Sequence, residues 1–284
     1  MGSRLISAAR GNGTGSGWTD WGTGLATGGE SWGMFATALA DFDADGRLDI
    51  LSQSFGGSNG LRVYANHGDG TWSPAWTLAG GSVGYTAESC DFNADGHADI
   101  VCTRAGANAL LGDGAFGFTT ATGGLPAGTI HCVDAGDTDG DGRDDLVFGL
   151  GSLGMRCYRY VGSPGAWTDA SSGLPVSGTY SMIQTGDING DGHLDVVGYS
   201  APTGRVFLGD GAGNWVADAT WTMPSPGDFS ALRVDGDLDH DGREDIFVQA
   251  TQSGFPFYRN QLRALSPWSA PAELSAQVAA PRGG

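Results

Sequence analysis

The chain contains no lysine; all 14 of its basic residues are arginine. This absence excludes a lysine nucleophile, a Schiff base and a P-loop, each of which needs an amine. Glutamate is scarce, present only as Glu30, Glu88, Glu244 and Glu273. The four cysteines, Cys90, Cys102, Cys132 and Cys157, form no CxxC pair, which argues against a zinc site. No apolar run is long enough to span a bilayer, so membrane insertion is not expected. No stretch repeats its apolar residues with helical period. Catalytic signatures are missing too: there is no Gly-x-Ser-x-Gly and no His-Glu-x-x-His. The five histidines, His67, His97, His131, His193 and His240, have no metal-ligand spacing.

What the chain has in abundance is one nine-residue phrase, Asp-x-Asp/Asn-x-Asp-Gly-x-x-Asp. It begins at Asp41, Asp91, Asp137, Asp187 and Asp237, at spacings of 50, 46, 50 and 50 residues. Side chains at positions 1, 3, 5 and 9 converge on one point, and position 7 would add its backbone carbonyl. The candidate metal sets are therefore Asp41, Asp43, Asp45, Arg47 and Asp49; Asp91, Asn93, Asp95, His97 and Asp99; Asp137, Asp139, Asp141, Arg143 and Asp145; Asp187, Asn189, Asp191, His193 and Asp195; and Asp237, Asp239, Asp241, Arg243 and Asp245. A shell of hard, charged oxygens suits Ca²⁺. Glycine at position 6 supplies the sharp turn and is expected at positive φ. An EF-hand would close with Glu at position 12, but Ser52, Cys102, Phe148, Gly198 and Val248 stand there, so that reading is rejected. Asn93 and Asn189 remove one charge each and mark the second and fourth loops as the weaker binders.

The charge balance follows the same phrase. The formal net charge is −18, and 18 aspartates stand at the ligand positions of the five loops. Five divalent ions would bring the total to −8. The acidity is therefore attributed to metal ligation, and nucleic acid is not an expected partner. Gly is the commonest residue, with 51 copies against a charged fraction of only 16%, which describes a turn-rich chain.

Each repeat reads as four short strands. One runs into the loop, as in Met34–Ala40 or Tyr180–Gly186, and one leaves it at the ninth-position Asp. A third follows a glycine turn: Leu61–Ala65, Ala109–Leu111, Met155–Tyr160, Arg205–Leu208 and Phe255–Tyr258. The fourth opens on Trp72, Phe116, Trp167, Trp215 or Trp268. Four strands per 46–50 residues is the pattern of a propeller blade. Residues 4–25 match only the third and fourth strands, with Trp18 at the aromatic position. Glu273–Ala280 alternates apolar and polar residues and would serve as a closing strand, or the tail would open a further domain of a longer chain. The expected organisation is a propeller over 4–270 and a tail over 271–284. The fold class is all-β: four-stranded blades, five of them with calcium loops, plus a partial or composite sixth.

The phrases Asp187-Ile-Asn-Gly-Asp-Gly-His-Leu-Asp-Val-Val and Phe207-Leu-Gly-Asp-Gly-Ala-Gly-Asn-Trp, with Phe55-Gly56-Gly57, resemble the FG-GAP/VCBS repeat family, also found in integrin α-subunit heads. The resemblance implies a calcium-stabilised propeller, usually on a secreted or surface protein. It departs from familiar seven-bladed members in having five loops.

The expected function is extracellular binding or adhesion, with a glycan or a protein as ligand and about five structural calcium ions. The alternatives are a secreted polysaccharide-degrading enzyme or its non-catalytic module, and a structural spacer in a large surface protein. The recurrent aromatics Trp18, Trp72, Phe116, Trp167, Trp215 and Trp268 are expected in the core between blades, and the irregular Trp21, Trp76 and Trp221 at the surface. A second set opens the first strands: Trp32, Tyr85, His131, Tyr180 and Phe229. It would either ring a channel mouth, where sugars stack, or plug the channel as core. Asp144 and Glu244, within loops, are expected to face solvent. Cys90 and Cys102 flank the second loop and are compatible with a cross-strand disulfide or with free thiols.

Overall fold

The computed structural model describes residues 6–26, 34–54, 60–78, 86–103, 106–162, 165–222, 231–237, 243–249 and 257–258. These residues form strands, turns and bends with no helix. A partial unit comes first: β1 (Ala9–Gly11) paired with β2 (Trp18–Asp20). The first full unit is β3 (Met34–Ala40), β4 (Asp49–Ser54), β5 (Leu61–Asn66) and β6 (Trp72–Leu78). The second is β7 (Ala87–Cys90), β8 (Asp99–Cys102), β9 (Asn108–Gly112) and β10 (Phe118–Thr120). The third is β11 (Ile130–Gly136), β12 (Asp145–Leu150), β13 (Met155–Tyr160) and β14 (Trp167–Asp169). The fourth is β15 (Met182–Gly186), β16 (Asp195–Ser200), β17 (Thr203–Gly209) and β18 (Trp215–Thr222), and the fifth β19 (Ala231–Gly236), β20 (Asp245–Gln249) and β21 (Phe257–Tyr258).

In every unit the strands pair antiparallel in chain order, giving four-stranded sheets in units one to four and a three-stranded sheet among the described residues of unit five. First strands of successive units touch: β3 with β7, β7 with β11, β11 with β15 and β15 with β19. They are the inner strands of a β-propeller, and the sheets are its blades. The expected 271–284 tail, Trp268 and the strand at Glu273–Ala280 lie outside the described residues.

The core is a series of seams between neighbouring sheets. Phe42, Leu51 and Val63 of unit one meet Ala87, Ile100 and Leu110 of unit two. Phe92, Val101 and Ala109 meet Val133, Leu146 and Phe148 at the next seam. Cys132, Val147 and Met155 meet Tyr180, Val196 and Phe207, and Val197 and Val206 meet Leu232, Val234 and Ile246. A blade packed on both faces explains the second strands. β12, Asp-Leu-Val-Phe-Gly-Leu, is buried at all six positions, so it reads as a continuous apolar run with no alternation.

The aromatic register holds in the middle of the molecule and fails at its start. Trp72 and Trp215 are buried, and Trp167 and Phe116 are partly buried in the seams. Trp18, expected in the same core, is 70% exposed, because no described unit packs on the outer face of β1–β2. The expectation for Trp21 and Trp76 is also corrected. Trp21 packs against the Tyr64–Trp72 seam, and the Trp76 ring centroid lies 4.7 Å from that of Phe118.

Cys90 and Cys102 are free and buried. The β7–β8 register places Cys90 opposite Asp99 and Cys102 opposite Ala87, at the two ends of the ladder. They are not cross-strand neighbours, so the disulfide reading fails on geometry.

Candidate metal-binding loops

Each loop is built around the carboxylate at position 1. In the first, Asp41 Oδ1 accepts the Asp45 N–H at 3.1 Å and Oδ2 accepts the Gly46 N–H at 2.8 Å. The Arg47 N–H donates to Asp45 Oδ1 at 2.9 Å. The second, third and fourth loops repeat this, with Gly96, Gly142 and Gly192 donating to Asp91, Asp137 and Asp187 at 2.9 Å. Gly46, at φ 84°, is left-handed as expected. So is position 4, which the sequence reading passed over: Ala44 at 58°, Ala94 at 56°, Gly140 at 75° and Gly190 at 74°.

The carboxylate at position 9 has a second task. Asp49 accepts the N–H of Phe42 at 3.0 Å and of Asn66 at 2.8 Å. Asp99 accepts from Phe92 and Gly112, and Asp195 from Ile188 and Gly209. One buried Asp thus ties the loop, the second strand and the third strand together. The residue at position 2 plugs the core beneath: Phe42, Phe92, Thr138 and Ile188 are each at most 1% exposed.

Two further positions gain roles that spacing alone did not show. Position 7 covers the hairpin between the third and fourth strands. Arg47 Nε donates to Asn66 O at 2.7 Å, and a Cβ on Gly114 or Gly211 would fall within 2.4 Å of the His97 or His193 ring. Position 8 reaches the preceding unit, which corrects the solvent-facing expectation for Asp144 and Glu244. Asp144 Oδ2 accepts the Asp91 N–H at 2.8 Å while the Asp144 N–H donates to Asp91 O at 3.1 Å. Glu244 Oε2 lies beside Gly186, where a Cβ would come within 2.2 Å of it. Leu194 packs on Gly136 in the same way.

The donor set fits a hard divalent cation. Carboxylate oxygens of Asp41, Asp43 and Asp49 lie within 4.8 Å of one another, as do those of Asp137, Asp139 and Asp141. Every group in both sets is an oxygen anion. Burial pushes the Asp99 and Asp195 carboxyls up to about 7, against the pull of their backbone donors, and neighbouring aspartates add to the rise. A cation beside them would restore the ionised form. In the third loop Arg159 Nη1 lies 2.9 Å from Asp139 Oδ2, and its Nε lies 3.9 Å from Asp145 Oδ2. In the fifth loop Asp237, Arg243 and Asp245 are described, whereas Asp239 and Asp241 lie outside the described residues.

Of the first-strand aromatic set, Trp32, Tyr85 and Phe229 lie outside the described residues. His131 is half-buried on β11. Tyr180 is 2% exposed and wedged between Gly149 and Gly198, where a Cβ would come within 2.6 Å of its carbonyl and 2.9 Å of its ring.

The FG-GAP-like repeat pattern matches residues 41–102, 91–148 and 187–248. No curated protein sequence matches the chain. Among solved structures, the chain is similar to an Agrocybe aegerita lectin, described for specific recognition of non-reducing terminal N-acetylglucosamine. Identity is 19% and the TM-score 0.56, over 90% of this chain and 71% of the lectin. It is also similar to Saccharomyces cerevisiae Sqt1, at 14% identity and a TM-score of 0.55, over 79% of this chain and 59% of the yeast chain. At these identities the likeness is one of fold.

Proposed function

We propose that this chain, which belongs to the FG-GAP-like repeat family, is a calcium-stabilised binding module whose rigid blades present a surface to an extracellular glycan or protein. The observation that carries the calcium part is the convergence of Asp41, Asp43 and Asp49, and of Asp137, Asp139 and Asp141, on single points. The five sets named by position in the sequence are the proposed ligands, one ion per loop. Bound calcium supplies positive charge at the acidic loops. The chain's own residues do the rest: position 1 shapes the turn, position 9 ties three segments and position 8 docks on the neighbouring blade.

Binding as the activity is supported by the family and by the fold shared with a lectin. No helix among the described residues is long and apolar enough to cross a membrane. Loops of this kind load where calcium is plentiful, so a secreted or cell-surface location is part of the proposal, with residues 4–270 as the propeller. The test is a glycan array and an extracellular-protein array probed in calcium and again after chelation. Calcium-dependent capture of one ligand class is the expected result. Release of products from a polysaccharide panel would replace this reading with an enzymatic one.

A further inference from the structure

We propose that the seam between units one and two holds a binding site for a short aliphatic carboxylate, apart from the glycan or protein surface proposed above. Two kinds of contact recur at the other described seams, and neither is made here. At the outer strands, Trp72 Nε1 donates to Trp21 O at 2.6 Å, Trp167 Nε1 to Ala121 O at 2.7 Å, and Trp215 Nε1 to Ala170 O at 3.1 Å. In unit two Phe118 takes this place, paired with Gly112 as Trp72 is with Asn66, and its ring has no donor. At the loops, the position-8 side chain covers the end of the preceding unit's first strand. Asp144 meets Asp91, Leu194 packs on Gly136 and Glu244 lies beside Gly186. In unit two position 8 is Ala98, which has only a methyl group to offer. A cavity of about 260 Å³ lies there, between Ala40 and Asp41 of unit one and Cys90, His97 and Ala98 of unit two.

The next seam shows which chemistry the cavity suits. There the Asp144 carboxylate takes the main-chain N–H of Asp91 at 2.8 Å, in a space between two acidic loops. Asp41 is the residue equivalent to Asp91, because the β3–β4 ladder ends at Ala40↔Asp49 as the β7–β8 ladder ends at Cys90↔Asp99. Asp41 therefore presents the same N–H, and the Ala98 side chain has no oxygen to accept it. The two carboxylates in the wall are turned into their own loops. Asp41 accepts the N–H groups of Asp45 and Gly46, and Asp91 those of Asp95 and Gly96. What faces a ligand is a pair of donors, the Asp41 N–H and the His97 imidazole, over a floor of Ala40, Cys90 and Ala98. The donors suit a carboxylate head and the floor suits a stem of a few carbons. The ligand would stand where the Asp144 side chain stands one seam later.

The experiment uses the full chain in calcium, isotope-labelled for NMR and titrated with sodium propionate against sodium chloride at equal ionic strength. Propionate should shift the Asp41 amide saturably. The Asp91 amide, already held by Asp144, should stay in place and serves as the internal control. Ala98→Asp puts a carboxylate where unit three has Asp144, and the saturable shift should be lost. Ala98→Leu, copying Leu194, fills the same space without charge and should abolish it as well, so the test stands when only one of the two variants folds. An Asp41 shift that chloride reproduces, or one that survives a folded Ala98 variant, would overturn the proposal. An Asp41 amide that does not respond to propionate would overturn it too. None of these outcomes depends on which ligand the arrays identify.

Discussion

At the residue scale, the loops contain one strained position and one competing cation. Ala44 and Ala94 sit at left-handed φ where the third and fourth loops have Gly140 and Gly190. A non-glycine residue there costs about 1–2 kcal/mol, part of which returns as unfolded-chain entropy when glycine replaces it. Ala44→Gly and Ala94→Gly should each stabilise the protein by about 0.5–1 kcal/mol in urea unfolding. Arg159 has leucine at its ladder position in two other units, Leu111 and Leu208, and its guanidinium reaches loop carboxylates from the third strand, whereas Arg47 meets Asp45 from within its own loop. Arg159→Leu should tighten calcium at the third loop by roughly tenfold, read by titration calorimetry. The asparagine loops lose a charge, while the third loop is approached by a cation from its third strand. Glu88 supplies the pH dependence. Burial, reinforced by Asp134 and opposed by Arg233, raises its carboxyl to about 7 from an ordinary 4.5. Below 4.5 both folded and unfolded chains hold the proton, and between 4.5 and 7 only the folded one does. The contribution is therefore fully present at low pH and lost as pH rises through about 7. At saturating calcium, the stability of Glu88→Gln relative to the parent should rise from pH 5 to pH 7.5; a flat difference would remove Glu88 as the cause.

At the element scale, one hydrogen bond recurs at seam after seam. Trp72→Phe keeps most of the apolar ring but strands the Trp21 carbonyl, for an expected loss of about 1–2 kcal/mol. Trp215→Ala empties a seam and should cost about 3–5 kcal/mol. Thermal unfolding of the two variants checks the order. Strand identity was legible because the loop phrase, the apolar run after it and the glycine turns fall in fixed sequence. The boundaries were less so. β10 begins at Phe118 where Phe116 was expected, since Phe116 is itself in the turn, at φ 61°. The inter-unit contacts were illegible for a physical reason. Asp144 and Glu244 look like solvent-facing loop acids, and only the approach of the neighbouring blade gives Asp144 a backbone partner and sets Glu244 beside Gly186. Trp18 misled in the opposite sense: its repeat position implied burial, but burial requires a neighbour that spacing cannot supply.

At the scale of the whole molecule, the proposed calcium ions would tie stability to metal. Each loop that held calcium would add about 2.7 kcal/mol when calcium stands at about 100 times its dissociation constant. Chelation should therefore lower the melting temperature steeply, and protein with no response to chelation would remove the structural role of the ion. The acidic loops and the four-stranded blades were readable from the five-fold phrase. The ligand surface was not. Tyr180 stood in a recurrent aromatic position, yet Gly149 and Gly198 leave it just enough room to be core. Glycine gaps that admit a ring in one blade and a carbonyl from the next leave no periodic mark.

Four of the seam contacts share a direction, from a donor to an acceptor earlier in the chain. Trp72 reaches back to Trp21, Trp167 to Ala121, Trp215 to Ala170, and Thr185 to Asp134, whose carboxylate accepts its N–H at 2.6 Å. In each case the partner is the part of the chain synthesised earlier. A polypeptide leaving the ribosome N-terminus first would find, at these seams, an acceptor already in place, so assembly there can keep pace with translation.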